Sequence, residues 1–168
     1  TLEIAARYPN VTVHQRRFDN PANQFNHAMQ DMGVTSEWIF AIDADYVVTE
    51  AFVQELTQLN PGSEISGYEC FFDYCVMGRP LRSGIYPPRI SLFRRTRGTY
   101  WQDAHTQRLK ISGEIKPLTS KILHDDRKSL DRWFDSQLGY ARREARKLLK
   151  SSGANLGFTN RVRNLRFV

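Results

Sequence analysis

The sequence predicts an α/β protein, an open mixed sheet flanked by helices and followed by a long amphipathic helix. Three observations carry this. Helical and strand periodicities alternate through residues 1–62, the rhythm of strands connected by covering helices. From residue 65 to 124 strand patterns then follow one another, punctuated by turn residues. The chain has 168 residues, 40% of them apolar and 25% charged, enough to bury one core without disulfide or metal staples.

Each element has its own warrant. Residues 1–8 read as a helix with Thr1 as cap. A helix under way at the first residue, with no initiator Met and no leader peptide, predicts an N-terminally truncated domain. Residues 11–15 are a short β-rich run, and residues 21–32 return to helical spacing through Phe25, Ala28 and Met29. Residues 38–42 are continuously apolar, as suits a strand in the middle of a parallel sheet. Residues 49–59 place Phe52, Val53, Leu56 and Leu59 on one helical face and stop at Asn60-Pro61-Gly62. In residues 65–77, Tyr68, Cys70, Phe72, Tyr74 and Val76 alternate along a long strand. Residues 78–88, with three prolines and two glycines, make a loop, and residues 89–95 another strand. Residues 107–111 and 115–118 read as a hairpin about Ser112-Gly113, residues 121–124 end the strand region, and residues 129–150 are a long helix. We read a single domain, residues 1–168, in three stretches: 1–62, 63–127 and 128–168.

Lys and Arg exceed Asp and Glu by 24 − 18 = 6, with a pI near 9.5, so an anionic partner is expected. Much of the excess lies between Arg127 and Arg166, including Arg161 and Arg163. No 18-residue apolar window exists, so no span is expected. Cys70 and Cys75, five apart in one strand, point to opposite faces and read as buried thiols in a reducing compartment.

The sharpest chemical feature is Trp38-Ile39-Phe40-Ala41-Ile42-Asp43-Ala44-Asp45. A buried strand runs out into two carboxylates one residue apart, at the edge where open α/β sheets bind ligands. If the strand geometry persists, both point to one side, and such a pair is stable with a cation or a proton between them. Mg²⁺ in particular is shared between carboxylates and substrate phosphates. The plainer alternative is a solvated acidic loop.

Together with Thr1-Leu2-Glu3-Ile4-Ala5 and Asn23-Gln24-Phe25-Asn26-His27-Ala28, that string resembles family-2 glycosyltransferases, in particular bacterial enzymes that add sugars to lipopolysaccharide core and related glycolipids. The likeness continues through Gly78-Arg79-Pro80-Leu81, residues 90–95 and Leu123-His124. The resemblance implies a GT-A-like, Rossmann-related domain. Residues 1–62 would be the remainder of the nucleotide-binding half, 63–127 the acceptor half and 128–168 a basic helical segment. It implies sugar transfer, with inversion at the anomeric carbon, from a nucleotide-diphosphate sugar to a glycolipid or polysaccharide acceptor, using Mg²⁺ or Mn²⁺. Asp45 would ligate the metal, Asp43 would sit near the ribose or metal, and His124, close to the diphosphate, would complete the metal site or hydrogen-bond a phosphate. Gln24 and Asn26 would face the nucleotide sugar; their other reading is a polar helix surface.

An inverting transfer needs a group to take the acceptor proton. Asp103 in Trp101-Gln102-Asp103-Ala104-His105 is the best placed carboxylate, as base or equally as a loop or cap residue; relatives often carry Glu after the His, where this chain has Thr106. His105 would touch a phosphate or hold a loop. Asp125, Asp126 and Ser129 read as caps of the last helix, Arg79 and Arg82 as phosphate neutralisers or loop residues, and Arg94, Arg95 and Arg97 as a solvated edge. The last helix opposes Leu130, Trp133, Phe134, Leu138, Ala141, Ala145, Leu148 and Leu149 to Arg142, Arg143, Arg146, Lys147 and Lys150. It can lie on an anionic membrane surface or pack on the sheet. A cytoplasmic protein, peripheral on the inner membrane face, follows, and an exposed sheet edge invites a homodimer. The alternatives are an inactive remnant and a GT-A-like nucleotidyltransferase, whose Gly-rich basic loop this chain lacks. Nucleic acid is not an expected partner, because the basic residues do not interleave with aromatics on a strand platform.

Overall fold

A computed structural model describes residues 1–76, 78–83, 86–103 and 106–150. His105, Gly84, Arg161, Arg163 and Arg166 lie outside the described residues, as does any structural account of 151–168.

The elements run in chain order as α1 (Leu2–Ala5), α2 (Pro21–Gln30), β1 (Trp38–Phe40), β2 (Tyr46–Val47), α3 (Glu50–Gln58), β3 (Ile65–Val76), β4 (Arg79–Pro80), β5 (Arg89–Arg94), a 3₁₀ turn (Arg95–Arg97), β6 (Gly98–Asp103), β7 (Thr106–Ile111), β8 (Glu114–Asp125) and α4 (Leu130–Lys150). The main sheet is open and mixed, in the order β1-β5-β3-β8-β2, with β4 paired to β3. Among the described residues only β3 and β8 run parallel. β6 and β7 form a separate antiparallel ribbon.

Local chemistry sets the helix starts. Pro21 opens α2 behind Asn20, whose side chain accepts from the Asn23 N–H (2.9 Å). Thr49 caps α3 by accepting from the Phe52 N–H (3.2 Å) while its hydroxyl donates to the Lys121 carbonyl (3.0 Å). Period-two alternation then divides the core. Trp38 and Phe40 join one cluster with Phe52, Tyr68, Cys70, Phe72 and Ile122, under α3; Ile39 and Ala41 join the other with Ala22, Met29, Phe93 and Tyr100, under α2. The clusters therefore lie on opposite faces of the sheet. Phe52 and Phe93 are fully buried, each contributing about 1.5–3 kcal/mol.

Several expectations need correction. β1 is an edge strand antiparallel to β5, not the middle of a parallel sheet: a continuous apolar run marks burial on both faces but does not choose the partner. Residues 11–15 form no strand and are exposed; Val11 and Val13 have β propensity but no strand to pair with among the described residues. Val53 is exposed beside buried Phe52. Residues 107–111 do not form a hairpin with 115–118. β7 pairs with β6, and the chain turns at Gly113 (φ 106°) into β8, which lies along β3. Gly113 suits that corner because its φ lies where other residues are strained and because a Cβ there would meet Ser66 Oγ.

Arg94 and Arg97 are clamps rather than a solvated edge. Arg94 donates to the carbonyls of Ile65 (2.7 Å) and Gly62 (2.9 Å), pairs with Glu37 and lies 4.6 Å from the Trp38 ring centre. Arg97 donates to Ser66 Oγ and the Ser63 carbonyl, both at 2.8 Å, and Arg95 to the Ser36 carbonyl (3.2 Å). Cys70 and Cys75 are free and buried, and burial pushes the Cys70 thiol up to about 11.

Candidate functional site

A cleft of about 1670 Å³ opens between the main sheet, the β6–β7 ribbon and α4. Strand register assembles its sharpest part. The antiparallel pairing of β2 with β8 sets Tyr46 opposite His124, and the parallel pairing of β3 with β8 sets Tyr74 on its other side. The Asp45 carbonyl accepts from the Asp125 N–H (2.9 Å), which fixes Asp45 beside the same histidine. His124 Nε2 lies 3.2 Å from Asp45 Oδ2.

His124 is 8% exposed and sits edge-on to the rings of Tyr46, Tyr74 and Tyr86, with centroids at 5.2, 4.8 and 4.4 Å. The Tyr46 and Tyr86 hydroxyls hydrogen-bond at 2.8 Å, and burial raises both phenols above their ordinary range. The hydrogen bond with His124 holds the Asp45 carboxyl below the usual carboxylate range, against burial that would raise it. Asp45 is therefore an anion at neutral pH, and Nε2–H donates to it. His124 Nδ1 is buried with no hydrogen-bond partner among the described residues.

Asp43 and Asp45 both line the cleft and an adjoining acidic and basic recess with Asp125, Asp126 and Lys128. The strand geometry expected to align them does not persist. β1 ends at Phe40, and Ala44-Asp45 form a turn in which the Tyr46 N–H donates to the Asp43 carbonyl (3.1 Å). What brings the carboxylates to one wall is that turn and the β2–β8 pairing. Among the described residues no group of three His, Cys, Asp or Glu forms a metal cage. A hard cation shared with a diphosphate needs only one or two protein carboxylates, and ligating carboxylates are themselves usually hydrogen-bonded. Asp45 with His124 behind it, and Asp43 two residues before, fit that demand.

Asp103 also reaches the cleft and is 7% exposed. Arg108 Nε donates to its Oδ2 (2.5 Å), and Lys147 of α4 pairs with its Oδ1. Burial would raise its pKa; the hydrogen bonds from Lys147 and Arg108 more than cancel this and hold the carboxyl below its ordinary range.

Other predicted positions separate from the site. α2 reaches the cleft with Pro21 and Phe25; neither Gln24 nor Asn26 is among its lining residues. Gln24 Oε1 accepts from Arg16 (3.3 Å). Asn26 spends both amide atoms on the Tyr100 backbone, donating to its carbonyl (2.8 Å) and accepting from its N–H (2.9 Å). Its role is to dock β6 on α2. Ser129 caps α4 as expected, accepting from the Arg132 N–H (3.4 Å). Asp125 and Asp126 do not: Asp125 accepts from the Gly78 N–H and Arg127, and Asp126 from the Lys128 N–H and ammonium. The loop after β3 pairs back through β4 and sends Leu81 and Ser83 to the cleft.

Compared with known proteins, the chain matches no family model, no curated protein and no solved structure.

Sequence reasoning missed Tyr46, Tyr74 and Tyr86 as a cage, and Arg89, Arg108 and Lys147 as cleft cations. Tyr74 had a signal in the β3 alternation, and Tyr86 in the Pro87-Pro88 pair that holds the preceding residue extended. Arg108 and Lys147 had none, since their partner is 5 and 44 residues away.

Proposed function

We propose that this chain is a GT-A-like, family-2-type glycosyltransferase domain, moving a sugar from a nucleotide-diphosphate sugar to a saccharide or glycolipid acceptor with Mg²⁺ or Mn²⁺. The observation that carries the reading is Asp45, ionised and held by His124 on the wall of a large cleft, in the Ala44-Asp45 turn that leads into β2. The resemblance of residues 38–45 to that family supports it.

In this reading Asp45 and Asp43 would hold the cation, whose positive charge would favour the diphosphate as leaving group. His124 orients Asp45 rather than ligating, because its Nε2 is spent on that carboxylate and its Nδ1 is buried away from the cleft. Lys128 and Arg89, both in the cleft wall, attract phosphate oxygens. The faces of Tyr74, Tyr86 and Trp101 offer apolar surface for a sugar ring or base. The acceptor oxygen bonds to the anomeric carbon as the bond from that carbon to the diphosphate breaks, and the acceptor's proton passes to a base. Asp103 is the carboxylate for that step. Paired with Arg108 and Lys147 it is a weak base, so Lys147 has to leave it as acceptor enters.

A donor screen tests the reading. The protein is incubated with Mn²⁺ and each common nucleotide-diphosphate sugar, and release of nucleoside diphosphate is followed. One donor should be consumed, and Asp45→Ala should slow that by roughly 100-fold or more. No release from any donor, or release unchanged by Asp45→Ala, contradicts it.

A further inference from the structure

α4 is built the opposite way round from an ordinary surface helix. Its polar side faces the protein: Ser136, Gln137, Tyr140, Glu144 and Lys147 line the cleft, with Trp133 at their edge. Its apolar side faces out. Leu130, Phe134, Leu138, Ala141, Ala145 and Leu149 follow one another at spacings of four, four, three, four and four, which is a single stripe on an α-helix. All six are exposed, with Leu130 at 67%, Phe134 at 62%, Leu138 at 51% and Leu149 at 86%. An ordinary amphipathic helix would bury that stripe and expose the other side.

Charge selects the occupant. Arg142 and Arg146, each one residue beyond a stripe alanine and four apart, run along one border of the stripe and are exposed. Asp131 and Asp135 share that border only in the first two turns, where the positive end of the helix dipole favours them. The whole chain carries a net charge of +6. Two copies, each carrying that charge, repel one another, whereas an acidic lipid surface attracts the chain and meets both the stripe and its basic border.

We propose that α4 is an interfacial helix whose Leu130–Phe134–Leu138–Leu149 stripe enters the headgroup boundary of an anionic bilayer, with Arg142 and Arg146 on the lipid phosphates. Trp133 stands between the two jobs, lining the cleft and packing edge-on against Phe134 at 5.2 Å. Docking brings the wall of the cleft to the lipid surface, so that what enters the cleft is met at that surface. The inference rests on the faces of α4 alone and stands whether or not the cleft transfers sugar.

Vesicle co-sedimentation of the full chain tests it, using phosphatidylcholine vesicles with and without about 30% phosphatidylserine. The chain should bind the acidic vesicles and bind them less as salt rises. Phe134→Gln with Leu138→Gln should weaken binding about 30-fold or more, since two large apolar side chains no longer enter the interface. Arg142→Gln and Arg146→Gln should each weaken it about fivefold, and only on acidic vesicles. None of these side chains lines the cleft, so nucleoside diphosphate binding by the variants should stay at the wild-type level. Binding to acidic vesicles that survives the Phe134/Leu138 double variant overturns the proposal. So does a double variant that turns a dimer into a monomer in sedimentation without changing vesicle binding, which would give the stripe to a second copy.

Discussion

Replacing Asp103 by Asn removes a charge while keeping the side-chain volume, and the structure says what that costs. The carboxylate is buried, and it joins Arg108 on β7 to Lys147 on α4 across the cleft. Losing one member of a fully buried ion network costs about 3–5 kcal/mol, because the remaining charges are stranded. Here the Arg108 side chain is 60% exposed and that of Lys147 31%, so both rehydrate, and the loss falls to about 1–2 kcal/mol. For a chain of this size that lowers Tm by roughly 2–8 °C. The pH dependence has a definite sign. The folded-state pKa of Asp103 lies below its unfolded value, so its contribution is complete above about pH 4 and is lost as pH falls through the folded pKa. Thermal denaturation of wild type and Asp103→Asn from neutral pH downward should show a Tm gap that is constant to about pH 5 and closes below pH 4. A gap that persists unchanged in acid, or no gap at neutral pH, would refute the ion-pair account. If Asp103 also takes the acceptor proton, turnover in the variant falls by roughly 10²–10⁴-fold.

Asn26→Ala removes both bonds to the Tyr100 backbone and should lower stability by about 1–3 kcal/mol in chemical denaturation. Because Asn26 lies outside the cleft lining, nucleoside diphosphate affinity should hold, and an affinity loss without a stability loss would return it to the site. Gly98→Ala would set a Cβ 2.7 Å from the buried Phe93 ring, where little can give, and should cost about 1–3 kcal/mol by the same assay. Wild-type stability there would mean that the β6–β7 ribbon is free to shift off the sheet.

What was legible in the sequence follows from how far each signal reaches. Helices α2, α3 and α4, and strands β3 and β5, carry their period and their stop signals within their own residues. The Asp43-Ala44-Asp45 string is likewise local, and both carboxylates do reach the cleft. Strand pairing is not local. Nothing in residues 107–118 distinguishes a hairpin from a corner between two sheets, and β6 was hidden because Gly98 and Asp103 bound an aromatic run with no clean alternation. The same limit applies at the site. The sequence placed Gln24 and Asn26 on the right helix and at a plausible spacing, but which face of α2 meets the cleft depends on how β6 docks. The outward apolar side of α4 was equally hidden, since a hydrophobic stripe in a sequence shows that a face exists and leaves open what lies against it.

Asp45 and its partner His124 bear the central claim, and binding measures it without need of an acceptor. Isothermal calorimetry of the chain with a panel of nucleoside diphosphates should give binding that requires Mn²⁺ or Mg²⁺ and disappears with chelator. Asp43→Ala and Asp45→Ala should abolish it with the helix and sheet content unchanged. His124→Gln, which loses the positioning of Asp45, should weaken it by about 10–100-fold. Nucleoside diphosphate binding that is indifferent to the metal, or that Asp45→Ala leaves at wild-type affinity, would contradict the account.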